Sequence, residues 1–244
     1  MQAQATPATP VGPKATLTLL FGVLALSACG GGGGDAGSPP APPPPPTPTC
    51  VASPPPPAPA PGADPPQVTM TLNNGAGVTG DIVITLNPTA APVTVANFLA
   101  YVNAGFYNCT IFHRHARDFV LQGGGYAAPV NVSATLPVLK PTNAPIALED
   151  RNGLSNLRWT VAMARTNQPN SATSQFFINL RDNLFLDGTA TQFGYAVFGT
   201  VTAGTNVVAA AQTAPCSVWP NFFGGGTDCL PVPNVVVMSA RQTR

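Results

Sequence analysis

Arg114 and Gln122 are the polar residues best placed for chemistry, because both stand among phenylalanines in stretches that read as β-strand. The segment 105–125, GFYNCTIFHRHARDFVLQGGG, carries the two, and SQFFINL at 174–180 adds Gln175 and Phe177. A guanidinium stays protonated at any working pH, so a lone arginine beside aromatic rings is a poor acid or base. It is well suited to holding an apolar ring and donating a hydrogen bond to one polar atom beside it. Proline in a peptide is such a ligand, a ring next to an amide whose rotation faces a barrier of about 18–20 kcal/mol. Other chemistries find less support. Glu149 and Asp150 show no sign of forming a catalytic carboxylate pair. His113 and His115 share one strand face at i, i+2, but no third ligand lies nearby and no CxxC spacing occurs, so no metal and no other cofactor is expected.

Such side chains need strands beneath them. Residues 68–72 and 80–86 are apolar or alternating and rich in β-branched residues, with Asn73-Asn74-Gly75 as turn chemistry between them. Pro92 opens a helix in which Val95, Phe98, Leu99 and Val102 recur at helical spacing, and Gly105 stops it. Segments 110–114, 119–122, 159–164, 175–180, 196–201 and 234–240 read as further strands, and TNVVAAAQT at 205–213 as a second short helix. Many short strands with two helices indicate a closed antiparallel barrel.

The motifs F-H-R at 112–114, F-x-x-Q-G-G-G at 119–125, M-A-R at 163–165, S-Q-F-F-I at 174–178, F-L-D-G at 185–188 and Y-A-V-F-G at 195–199 occur in one order. Together, over roughly residues 68–237, they resemble the cyclophilin-type peptidyl-prolyl cis–trans isomerases. The resemblance implies a mainly β fold, a closed eight-stranded antiparallel barrel with a helix covering each open end. It implies Arg114 as the catalytic arginine, with Gln122 orienting it and binding substrate main chain. Phe119, Val120, Phe177 and Leu186 become the walls of a proline pocket, and Gln175 a further substrate contact. Ala164 and Arg165 take the place where substrate backbone pairs with a strand edge, Arg165 acting chiefly through its main chain. Val120 and Gln122 share a face by alternation; Phe119 does not, and its place in the pocket requires a bend in the strand. Phe185 stands where many eukaryotic relatives have tryptophan and Tyr195 where they have histidine, which implies weaker binding of cyclosporin-like inhibitors. Val120 replaces a common methionine, giving a smaller wall. Two long loops, 126–145 and 216–229, are placed to shape access. The competing reading is a proline-peptide binding module, or a chaperone of envelope proteins, without catalysis.

The ends of the chain suggest export. Lys14 precedes an apolar run over 15–28 that is too short for a membrane span of about 20 residues and fits a signal segment. Leu26-Ser27-Ala28-Cys29 resembles a bacterial lipobox, in which Cys29 is lipidated; an ordinary cleaved signal is the alternative. Gly30 after the cysteine points to the outer membrane, facing the periplasm. Residues 29–66 are nearly all Gly, Pro, Ala, Ser and Thr and read as an unfolded stalk, stiffened over 39–66 and reaching roughly 80 Å at about 3.1 Å per residue. Residues 67–244 are left as one domain. Of the remaining cysteines, Cys216 and Cys229 bracket a Gly/Pro-rich loop and are expected to pair, Cys109 to be a buried thiol, and Cys50 to lack a partner. Charged residues make up 8% of the chain and the net charge is +1, with no basic cluster, so nucleic acid is excluded as a partner. The expected partners are proline-containing segments of exported proteins, and the membrane through the lipid. Nothing points to an obligate oligomer, so a monomer is expected.

Overall fold

The computed structural model describes residues 46–60, 62–131, 137–219 and 228–244. The signal segment, Cys29, the first part of the stalk and parts of both long loops lie outside the described residues. Among the described residues ten strands and two α-helices follow one another as β1 (Gln67–Asn73), β2 (Thr79–Leu86), α1 (Pro92–Asn103), β3 (Thr110–Ala116), β4 (Val120–Ala127), β5 (Thr160–Met163), β6 (Phe176–Asn179), β7 (Val197–Ala203), α2 (Thr205–Thr213), β8 (Cys216–Val218), β9 (Cys229–Pro231) and β10 (Val235–Gln242). Eight of the strands, in the order β10-β1-β2-β7-β5-β6-β4-β3, close into a barrel through the β10–β3 pairing. The remaining two, β8 and β9, pair antiparallel as a hairpin at the two ends of the 216–229 loop. β10 takes the first half of one edge of β3, opposite Thr110 to Phe112, and β9 takes the second half at His115.

Alternation fills the barrel. Val68, Met70 and Leu72 of β1, and Ile82, Ile84 and Leu86 of β2, are buried together in its core. The β1–β2 turn is built by asparagine: Asn73 Oδ1 accepts from the Gly75 N–H and Asn74 Oδ1 from those of Ala76 and Val78. Helix α1 begins at Pro92, whose fixed φ suits a first turn, and its N-cap residue Ala91 offers no side-chain acceptor. Glu149 supplies one instead, accepting from the N–H groups of Val93 and Thr94 at 3.1 and 2.8 Å. A carboxylate there satisfies orphan donors and opposes the positive end of the helix dipole. Phe98 of α1 packs its ring 4.9 Å from Phe198 and 5.5 Å from Phe176, fastening the helix to β7 and β6. From α2, Val207, Val208 and Ala211 join the same core.

Residues 46–60 form neither helix nor strand, yet they are fastened to the barrel. Cys50 is disulfide-bonded to Cys109. This corrects two expectations, that Cys109 is a free buried thiol and that Cys50 lacks a partner. Proline-rich chain needs no secondary structure to lie along a surface, and flanking hydrogen bonds bring the sulfurs together. Asn108 Nδ2 donates to the Ser53 carbonyl at 2.8 Å, and the Asn234 N–H to Thr47 Oγ1 at 3.3 Å. Among the described residues no helix is long and apolar enough to cross a membrane.

Candidate active site

Strand register sets the site. Arg114 on β3 lies opposite Gln122 on β4, Gln122 opposite Phe177 on β6, Phe177 opposite Ala162 on β5, and Ala162 opposite Val197 on β7. Directly opposed residues point to the same side of a sheet, so one row crosses five strands with a charge and then an amide at one end and three apolar side chains after them. Ala116, Val120, Ala162, Phe177 and Val197 form a small apolar cluster apart from the barrel core.

On that cluster opens a cavity of about 200 Å³ lined by Arg114, Phe119, Val120, Gln122, Ala164, Arg165, Phe177, Leu186 and Tyr195. Of the residues expected at the site, Gln175 and Phe185 stand just outside this lining. Gln175 acts from behind, its Oε1 accepting from Gln122 Nε2 at 2.8 Å. Gly125 makes this possible: a Cβ there would come within 2.8 Å of the Gln175 amide. Phe185, 61% exposed, stacks on Phe119 at 5.6 Å. Phe119 reaches the cavity beside its neighbour Val120 because Asp118 takes φ 51°, the bend that strict alternation lacks. A larger space of about 1190 Å³ lies between residues 58–60 and 62–66 and the β2–β7 side of the barrel. It brings together no comparable set of guanidinium, amide and aromatic groups.

Arg114 is held from two sides. Its Nη1 donates to Gln122 Oε1 at 3.2 Å and its Nε to Asp228 Oδ2 at 2.6 Å. Beside it, His113 is buried and kept neutral. Its pKa falls to about 3, chiefly because burial penalises the charged ring and then because Arg114 is adjacent. Hydrogen bonds with the Ile111 backbone and Gln175 act the other way without prevailing. The two histidines do not act together: His113 packs edge-on against Tyr126, whereas His115 faces Cys216 and Cys229. The ligand atoms of His115, Cys216 and Cys229 lie within 4.8 Å of one another, a grouping that sequence spacing did not show. Both sulfurs are spent in the Cys216–Cys229 disulfide, so they offer no thiolate and the group does not fit a metal.

The side chain of Arg165 is engaged within the protein. Its Nε and Nη2 donate to the carbonyls of Gly194 and Phe193 at 2.8 and 2.7 Å, and its guanidinium lies over the Tyr195 ring at 4.6 Å. Asp150 fixes the same loop from beneath, accepting from the Gly194 N–H at 2.6 Å. Sequence reasoning also missed three fully buried asparagines. Asn179 Nδ2 donates to Asn156 Oδ1, and Asn183 Nδ2 to Asn179 Oδ1 and to the Phe119 carbonyl. Asn156 in turn holds Asp187 and the Tyr195 carbonyl. This network ties both flanks of the cavity together, and nothing in the local sequence marks asparagines as buried.

Residues 67–241 match the family described as cyclophilin type peptidyl-prolyl cis-trans isomerase/CLD. The chain belongs to the cyclophilin family. Its cyclophilin domain is 48% identical over 176 residues to the peptidyl-prolyl cis-trans isomerase cyp18 of Streptomyces antibioticus, covering 71% of this chain and 97% of that one. Against peptidyl-prolyl cis-trans isomerase B of Escherichia coli K12 the identity is 50% over 132 residues, covering 53% and 76%. A crystal structure of a Cryptosporidium parvum cyclophilin type isomerase superposes with a TM-score of 0.56 at 22% identity, covering 73% of this chain and 98% of that one, and so shares the fold. The protein is a peptidyl-prolyl cis–trans isomerase, with the closed eight-stranded barrel and two helices of its family.

Proposed function

We propose that this cyclophilin turns over Xaa-Pro bonds with Arg114 as its catalytic donor. The observation that carries this is the placement of a doubly held guanidinium on the rim of an apolar cavity lined by Phe119, Val120, Phe177 and Leu186. As the amide twists, its nitrogen pyramidalises and its lone pair localises. An N–H aimed at that lone pair stabilises the twisted state more than either planar isomer, the differential binding that acceleration requires. Gln122 steadies the donor and offers an amide to substrate backbone. The apolar walls seat the proline ring, with Ala164 and Arg165 beside it. A second crystal structure of the Cryptosporidium parvum protein was determined in the presence of the dipeptide Ala-Pro, which supports a prolyl ligand in a site of this form. Exchange spectroscopy on an Xaa-Pro peptide tests the role. Arg114→Ala should lower kcat by roughly 100-fold or more, the usual cost of one preorganised donor; a loss below about threefold refutes it.

The substrates on this reading are exported proteins. Leu26-Ser27-Ala28-Cys29 supports lipid attachment at Cys29 after cleavage at residue 28, with residues following Cys29 as a spacer and the domain facing the periplasm as a monomer. Cys29→Ser should release the protein from membranes; continued retention in the membrane fraction sinks this part.

A further inference from the structure

We propose that Asp228 is a positioning residue for Arg114, held in place by the Cys216–Cys229 disulfide; this rests on the reading of Arg114 as the catalytic donor. Strand β9 pairs with β3 antiparallel, with Cys229 opposite His115. That register puts Arg114 and Asp228 on the same face as diagonal neighbours, within reach of a long side chain. Their contact is a charge-assisted hydrogen bond of 2.6 Å, with side chains 27% and 20% exposed. Among the described residues the one other ion pair, Arg244 with Asp64, spans 3.8 Å between more exposed groups.

The geometry shows what the carboxylate does. Asp228 takes Nε and Gln122 takes Nη1, so two separate nitrogens are fixed and the guanidinium plane cannot turn about its long side chain. Among the described residues Nη2 makes no hydrogen bond, which leaves it for the prolyl nitrogen. A carboxylate behind the guanidinium also weakens its field at the substrate. That effect acts on a partial charge across the width of the guanidinium in partly solvated surroundings, and it opposes the positioning effect. Loss of one of two anchors on a rotamer-rich side chain outweighs it, at about tenfold in kcat or roughly 1.4 kcal/mol of barrier. Asp228 precedes Cys229, whose bond to Cys216 closes β8 onto β9 and keeps this short hairpin against β3. The disulfide therefore links the aim of the arginine to the oxidation state of two cysteines outside the cavity.

The test is steady-state isomerisation of an Ala-Pro peptide by the full oxidised chain. Asp228→Ala should lower kcat about tenfold with KM within twofold, because the donor acts on the twisted state while the proline pocket is untouched. Asp228→Asn, which keeps an acceptor without charge, should return kcat to within about threefold of the native value. Cys216→Ser with Cys229→Ser should reproduce the Asp228→Ala loss and add nothing to it when combined. In the Arg114→Ala background, Asp228→Ala should have no effect. If Asp228→Ala stays within twofold while Arg114→Ala collapses, Asp228 has no such role although the donor reading stands; if Arg114→Ala keeps full activity, both fall. A rise in KM matching the fall in kcat, or an equal loss in the Arg114→Ala background, shows a merely structural Asp228 and overturns the proposal. Should Asp228→Ala not fold, the Arg114 Nε–H NMR signal decides. It should be downfield and protected from exchange in the native chain and lose both properties in the double-serine variant; an unchanged signal overturns the proposal.

Discussion

Replacing Asn183 with alanine should cost about 3 kcal/mol of stability and loosen the cavity together. Asn183 is fully buried, and its Nδ2 donates to Asn179 Oδ1 at 2.8 Å and to the Phe119 carbonyl at 3.0 Å. The Phe119 carbonyl keeps the Leu180 N–H after the substitution, so it loses one of two bonds, worth about 1 kcal/mol net. Asn179 Oδ1 loses its only hydrogen bond among the described residues, at roughly 2 kcal/mol for an orphaned buried acceptor. With a urea m-value of about 2 kcal/mol per molar, the unfolding midpoint should fall by about 1.5 M. Asn183 also helps hold the backbone of Phe119, so KM for a prolyl peptide should rise more than kcat falls. Equilibrium urea unfolding read by tryptophan fluorescence, with peptide titrations on the same sample, measures both. A midpoint within about 0.5 M of native, with KM unchanged, would refute the reasoning, since the asparagines would then be spectators of the packing around them.

Two further outcomes follow from groups away from the cavity. His113 is depressed to about 3 in the folded chain against an ordinary 6.5, so the unfolded chain binds the extra proton first as pH falls. Stability from this residue is complete above about pH 6.5 and declines towards pH 3 by up to about 1.4 kcal/mol per unit; unfolding of His113→Gln should lack that slope, and an identical slope discards the assignment. Removing the Cys50–Cys109 bond by paired serines should cost about 4 kcal/mol in the chain-entropy treatment of its 59-residue separation. Thermal unfolding should show the loss and non-reducing peptide mass spectrometry the native linkage; free thiols at both positions would contradict it.

The parts legible in the sequence were those in which a local pattern has a local cause. Alternation in residues 68–72 and 80–86 gives strands facing a core, and the 3.6-residue recurrence of Val95, Phe98 and Val102 gives α1. The motif set around Arg114 and Gln122 brought the cavity with it, because strand register converts spacing in sequence into rows across a sheet. What escaped depends on pairs far apart. Asp228 reaches Arg114 across 114 residues, and Cys50 reaches Cys109 across 59. No periodicity encodes either. The buried asparagines Asn156, Asn179 and Asn183 look like surface residues by type, and only their mutual hydrogen bonds make burial affordable. Glu149, adjacent to Asp150 in sequence, turned out to serve the start of α1, while its neighbour serves Gly194.

The bond between Cys50 and Cys109 also decides where force would enter the barrel. Without it, a pull on the N-terminal side of the chain would load β1 at Gln67 and unzip it end-first, one hydrogen bond at a time. With it, tension leaves the backbone at Cys50 and arrives beside the start of β3, a strand flanked by β4, β10 and β9. β1 is bypassed and bears no load. The strand that carries Arg114 becomes the point of suspension, with neighbours on both edges to share the shear.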